Sequence, residues 1–124
     1  MSNLGTAGQN RAAALLRGET VSPFAGPFSI GLGLSADDSG LTGEPAGQGY
    51  ARQAFAFSGT GNAIGNAAAL AFGPFSAELG VVRAFAIFDA AGNVMWHGDL
   101  SNQLTLSSGT TRTIVAGGIT GSIG

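Results

Sequence analysis

Glycine fills 22 of the 124 positions. Between the glycine-bearing turns, apolar residues come in short runs with a period of two. In FSIGLGL (28–34), Phe28, Ile30, Leu32 and Leu34 point one way, and Ser29, Gly31 and Gly33 the other. That alternation predicts a strand with one buried face. YARQAFAF (50–57) and VVRAFAIF (81–88) read as two further strands. DAAGN (89–93) is a turn signal that pairs VMWHGDL (94–100) back onto the strand before it. AAALAF (67–72) reads as a strand from its setting between Gly-rich turns. LTLSS (104–108) and RTIVAGG (112–118) flank Gly109-Thr110-Thr111 as a second hairpin, and ITGSIG (119–124) completes a strand.

One segment alone reads as helix. Residues 1–10 are small and polar and predict a flexible arm, followed by RAAALLRG (11–18). Asn10 is a candidate N-cap, alanine, leucine and arginine are strong helix formers, and Gly18 is a natural stop. Two turns of helix are unstable alone, so Leu15 and Leu16 are expected to dock. One helix and six to eight short strands predict a mainly β chain: an antiparallel β-sandwich or jelly-roll-like domain with a short N-terminal helix. Residues 1–21 then form an arm and helix, and residues 22–124 the β-sandwich domain. The fifteen turn-rich residues of SADDSGLTGEPAGQG (35–49) read as a functional or contact loop.

Composition excludes several functions. Charged residues make up 10% of the chain, with five arginines, no lysine and a net charge of −2. This is not the footprint of a nucleic-acid binder. The absence of cysteine excludes disulfides, thiolate catalysis and zinc–thiolate sites. At 44% hydrophobic, the chain has material for a core. No apolar run approaches the ~18 residues of a membrane span. The first ten residues have neither the charge nor the apolar run of a signal peptide.

Chemistry-bearing motifs are sparse. His97 is the sole histidine, and Asp99 shares its strand face, so the pair reads either as a base oriented by a carboxylate or as polar decoration near a strand end. GTGNAIG (59–65) has neither the spacing nor the long helix of a dinucleotide loop, and reads as a glycine turn. Asp37, Asp38 and Glu44 concentrate acid in one loop, but not at EF-hand spacing, and DDSG is an ordinary Asx-turn signal. Glu78 and Asp89 would form a glycosidase pair only if the fold brought them together. The eight phenylalanines, Trp96 and Tyr50 are expected mostly in the core. Phe24 and Phe28, set around two prolines, are candidate subunit bridges. Arg52 and Arg83 lie mid-strand, where a charge is costly unless paired or exposed: a buried pair with Glu44, Glu78 or Asp89 is one reading, a pair with a neighbouring subunit the other.

At GEPAGQGYARQAFAFSGTGNAIGNAAALAFG (43–73) the sequence resembles a family of small tailed-phage virion proteins, of tail-fibre-like, head-decoration or head-spike-base type. Phe28–Leu34, Glu44, Gly47, Gly49, Tyr50, Ala51, Arg52 and Gln53 carry the resemblance, with GYARQ (49–53) its specific part. It continues through Asn66, Leu70–Phe72, Phe85–Ala90, Met95, Gly98, Leu100, Gly109, Ala116 and Gly117. The resemblance implies a structural virion protein without enzymatic activity, cofactor or metal. It implies a capsid-decoration or head-spike-base role, or else a tail-tip or tail-fibre one. It also implies location on the phage particle after synthesis in the bacterial cytoplasm, other virion proteins as partners, and a homo-oligomer, with a trimer favoured. Nucleic acid and membrane are not expected partners. Phe24, Phe28, Glu44, Gly49, Tyr50, Arg52 and Gln53 are the candidate interaction residues. Gly49 would let the loop backbone approach another chain, Tyr50 would offer a contact ring, and Arg52 would orient the loop by pairing with Glu44. A carbohydrate-binding module, stacking sugar on exposed Trp96 or Tyr50, is the alternative from a different class. The low charge predicts a chain that associates readily.

Overall fold

The computed structural model describes residues 2–20, 26–58 and 63–122. Their elements are β1 (Ser2–Leu4), α1 (Thr6–Leu16), β2 (Phe28–Gly33), β3 (Ser35–Asp37), β4 (Gly40–Thr42), β5 (Gln53–Phe55) and β6 (Phe57–Ser58). There follow β7 (Ala63–Asn66), β8 (Leu70–Phe72), β9 (Gly80–Phe88), β10 (Val94–Leu106), β11 (Arg112–Ile114) and β12 (Thr120–Ser122). The fold is mainly β, with antiparallel pairing and one short N-terminal helix, as the sequence predicts. A five-stranded sheet of order β1-β10-β9-β2-β5 is its centre. Two small sheets, β8–β11 and β6-β7-β12, close over one face in a sandwich-like arrangement.

The main core fills the space between these layers. Ile30, Leu32, Phe85, Ile87 and Trp96 of the large sheet meet Leu70, Phe72, Phe75 and Ile119. The register explains the shared face: Ile30 and Trp96 both stand opposite Ile87, and Leu32 opposite Phe85. Burying each such side chain contributes about 1.5–3 kcal/mol. The other face is covered too. The β3–β4 hairpin lays Ala36 and Leu41 on Ala86, Phe88 and Val94.

That second layer corrects the single-faced reading of residues 28–34. Gly31 and Gly33 are buried, not open. A Cβ at Gly31 would fall 2.7 Å from Glu44 Oε2 and 2.8 Å from Leu41 Cδ1, and one at Gly33 2.8 Å from the Thr42 carbonyl oxygen. Glycine alternates here because the hairpin needs the room. Leu34, grouped with the inward residues, is 48% exposed because β2 ends at Gly33.

The N-terminus also departs from expectation. The segment read as a flexible arm forms β1, paired to Trp96, His97 and Gly98 of β10. The helix starts at Thr6, not after Asn10, and Gly5 holds the N-cap position without a side-chain bond. The missing cap comes from far along the chain: the Thr6 amide donates to Asp38 Oδ1 at 3.1 Å, and the Thr6 hydroxyl bonds Oδ2. The helix stops as predicted, with Gly18 at φ +80° and its amide bonded to the Leu15 carbonyl.

Three further expectations shift. Residues 50–57 break into β5 and β6, leaving Tyr50–Arg52 outside any strand. Part of 35–49 is the β3–β4 hairpin. Residues 104–108 and 112–118 do not pair: Leu104–Leu106 ends β10 against β9, and β11 pairs with β8. The turn between them folds onto Phe75 instead, whose amide donates to the Thr110 carbonyl and whose carbonyl accepts from Gly109.

Candidate interaction surface

The loop leading into β5 is held by three side chains. Arg52 clasps Glu44 with two parallel bonds, Nε to Oε2 and a terminal nitrogen to Oε1, each 2.9 Å. The Tyr50 hydroxyl donates to Glu44 Oε2 at 2.7 Å and accepts the Leu32 amide at 2.9 Å. Its role follows from register. β5 pairs β2 as far as Gln53 opposite Ile30. Leu32 turns its amide to the same edge as Ile30, where the strand has left. The phenol takes the place of the departed backbone. The Tyr50 ring stacks on Phe72 at 6.0 Å, and the Arg52 guanidinium lies 3.9 Å above the centre of the Phe88 ring.

Charge in this cluster is balanced. Burial alone would raise the Glu44 carboxyl. The hydrogen bonds from Arg52 and Tyr50 outweigh it and hold the group below its ordinary value. Burial, and then the bond to Glu44, push the Tyr50 phenol well above its usual range.

The Arg52–Glu44 pairing therefore matches the sequence reading, within the chain. Tyr50 and Gly49 work differently from the expectation. Tyr50 is 8% exposed, its ring spent on Phe72, so it has little face to offer a partner. Gly49, at φ +88°, does permit a close approach, but to its own chain: a Cβ there would lie 2.1 Å from the Pro74 carbonyl oxygen. The Gln53 side chain donates to the Ala51 carbonyl. Phe28 is half-buried, edge-on to Phe57 at 5.5 Å between ring centres. Phe24 and most of the glycine turn at 59–65 lie outside the described residues.

The other sequence candidates go to structural work. His97 meets Asp38 of the β3–β4 turn, Nε2 to Oδ1 at 3.3 Å. The Asp38 carboxyl is held below its ordinary value, chiefly by the Thr6 hydroxyl. Asp37 accepts the Ser39 amide in the expected Asx turn. The three acids of the loop thus serve three separate tasks, and among the described residues no group of three metal-ligating side chains gathers. Asp89 closes the β9–β10 turn by accepting the Ala91 and Asn93 amides. Glu78 precedes β9 and Asp89 follows it. Nine strand residues separate them by roughly 30 Å, against the ~5–9.5 Å of a glycosidase pair. Trp96 is 2% exposed, so neither it nor Tyr50 presents a ring for a sugar to stack on. Arg83 is exposed, one of the two ways a mid-strand charge is tolerated, and reaches Gln103 at 3.4 Å rather than a carboxylate.

What the surface does offer lies outside the candidate set. Leu15 is 63% exposed and Leu16 90%, although both were expected to dock. Between the far end of β10 and the β11–β12 turn lies a groove of about 290 Å³, lined by Leu100, Leu104, Ile114, Val115 and Ile119 among others. It opens where the β9–β10 register shifts between Asp99 and Leu104. Asn66, 1% exposed, fixes its wall by donating to the Val115 carbonyl and accepting the Ile119 amide, both at 2.9 Å.

The family described as podophage GP4 fiber I protein gp80 matches residues 6–122. The chain belongs to this family. The gp80 match runs from the first residue of α1 to the end of β12, so the exposed leucines, the clamped loop and the groove all fall within it. As a gp80-family member the chain is a fibre-type structural protein of the phage virion, in contact with other virion proteins. No curated protein matches it. No described helix is long and apolar enough to cross a membrane.

Proposed function

We propose that the chain is a non-catalytic module of a podophage fibre, joined to neighbouring virion proteins through apolar contacts. The observation that carries this reading is the family match over residues 6–122. The family's description favours a fibre over the capsid-decoration or head-spike-base role that the resemblance also allowed. The lack of catalysis is supported by the engagement of Asp38, Glu44 and Asp89 in caps, clamps and turns. Low charge and two exposed leucines support self-association, and the proposed assembly is a homotrimer. Immunogold labelling of purified particles tests the placement. Gold is expected on the fibres. Gold spread over the capsid shell would move the chain to a decoration role, and its absence from washed particles would overturn the proposal.

A further inference from the structure

Leu15 and Leu16 stand at the end of α1, outside the chain's own packing. Helix propensity does not require leucine there, since arginine or glutamine would serve nearly as well. The direction of the helix decides what these residues can reach. Thr6 sits at Asp38, which touches His97. Arg11, further on, is close enough for its charge to act on Asp89. The helix therefore runs from the middle of β10 toward the β9–β10 turn, and carries the leucines to that end of the molecule. The groove lies toward the opposite end of β10: Leu104 pairs Val82 while Val94 pairs Phe88, six β9 residues or roughly 20 Å of sheet apart. No chain can fill its own groove with its own leucines.

The groove has the properties of an anchor pocket. At about 290 Å³, with Leu100, Leu104, Ile114, Val115 and Ile119 in its lining, it has room for apolar side chains. Asn66 holds its wall in place before anything binds. Among the described residues, none that lines it is charged. Beside the leucines, Arg17 and Glu19 neutralise each other at 2.5 Å. Docking one feature into the other strands no charge. Among the described residues the other large exposed apolar side chains are Val115, which is part of the groove, and Leu34, which packs beside Gly43.

We propose that Leu15 and Leu16 of one copy seat in the Leu100–Leu104–Ile114 groove of the next copy. Knob and groove are different surfaces, so the contact is heterologous: repetition closes a ring or extends a row. The contact deepens the self-association proposed above.

The chain has no cysteine, which makes crosslinking specific. Two single variants, Leu16→Cys and Thr113→Cys, are mixed under mild oxidation. Thr113 is exposed and lines the groove. A mixed disulfide is expected to form faster than either homodimer. Leu16→Asp is expected to weaken self-association about thirty-fold, the effect of losing one hot-spot side chain, while melting like the wild type. A wild-type chain that stays monomeric at millimolar concentration overturns the contact, even if the groove binds another virion protein. So do undiminished association of Leu16→Asp, or disulfides joining two Leu16→Cys chains in preference to the mixed pair. The assay uses the isolated chain. Its failure leaves the fibre placement standing, and failed particle labelling leaves the contact standing.

Discussion

Replacing Tyr50 by phenylalanine isolates one oxygen. The ring keeps its place on Phe72, so no cavity opens, and Glu44 keeps both bonds from Arg52. Glu44 loses only the phenol's bond, and the main change is at the Leu32 amide, in a residue with 0% exposure, which loses the acceptor that stands in for β5. A buried amide left without a partner costs about 1–3 kcal/mol. Taking about 2 kcal/mol, and an unfolding entropy of about 2.1 cal/mol/K per residue over 124 residues, the melting temperature should fall by roughly 8 °C. Thermal and urea denaturation followed by circular dichroism measure the loss, and the urea slope should stay unchanged. Amide exchange adds a local reading: Leu32 should lose protection relative to Ile87 of the neighbouring strand. A melting shift under about 2 °C with full protection at Leu32 would refute the reasoning, because the strand edge would then not need the phenol.

Three other perturbations read different parts of the structure. The Glu44 carboxyl is held below its ordinary value of 4.5, so the clamp stabilises the fold above about pH 4.5, and that contribution is lost as pH falls through the lowered value. Urea midpoints of Glu44→Gln should therefore lie below wild type at neutral pH and converge with it in acid; a gap constant with pH would contradict this. Gly49→Ala meets the Pro74 backbone, whereas Gly47, also at positive φ, has nothing within 4 Å of an added methyl group. Gly47→Ala should lose about 1–2 kcal/mol and Gly49→Ala clearly more, and equal melting temperatures would remove the steric argument. Asn66→Ala strips partners from the Ala68 and Val115 carbonyls and the Ile119 amide, and a loss of about 3 kcal/mol in thermal unfolding is expected.

The legible parts of this chain were those in which sequence neighbours decide the structure. The period of two found β2 and β9, DAAGN found the β9–β10 turn, and Gly18 found the helix end. The Glu44–Arg52 clamp was readable because the two charges lie eight positions apart across a turn-rich loop. The illegible parts depend on distant partners. Asp38 caps α1 from 32 residues away, so no local signal marked Thr6 as its start. The β3–β4 hairpin covers the second face of the sheet, which turned an apparently open alternation into two buried faces. β11 leaves its sequence neighbour for β8, and no motif marks the shift in β10 beside which the groove opens.

The arginines give the low charge its meaning. An intersubunit ion pair was one reading of Arg52, but each of the five is engaged by its own chain. Arg17 holds Glu19, Arg52 holds Glu44, Arg83 reaches Gln103, Arg112 donates to the Thr105 carbonyl, and Arg11 acts on Asp89. The arginines tie the chain to itself, and the contact proposed between copies is apolar. Association through such a surface should resist salt. An ionic interface weakens as the screening length falls from ~10 Å at 0.1 M toward ~3 Å at 1 M, whereas apolar contact is unchanged or strengthened. Sedimentation of the isolated chain across that range should give constant or rising association. A tenfold loss would mean that one of these arginines leaves its partner in its own chain for a neighbour's carboxylate, and the exposed Arg17 and Arg83 would be the first to test.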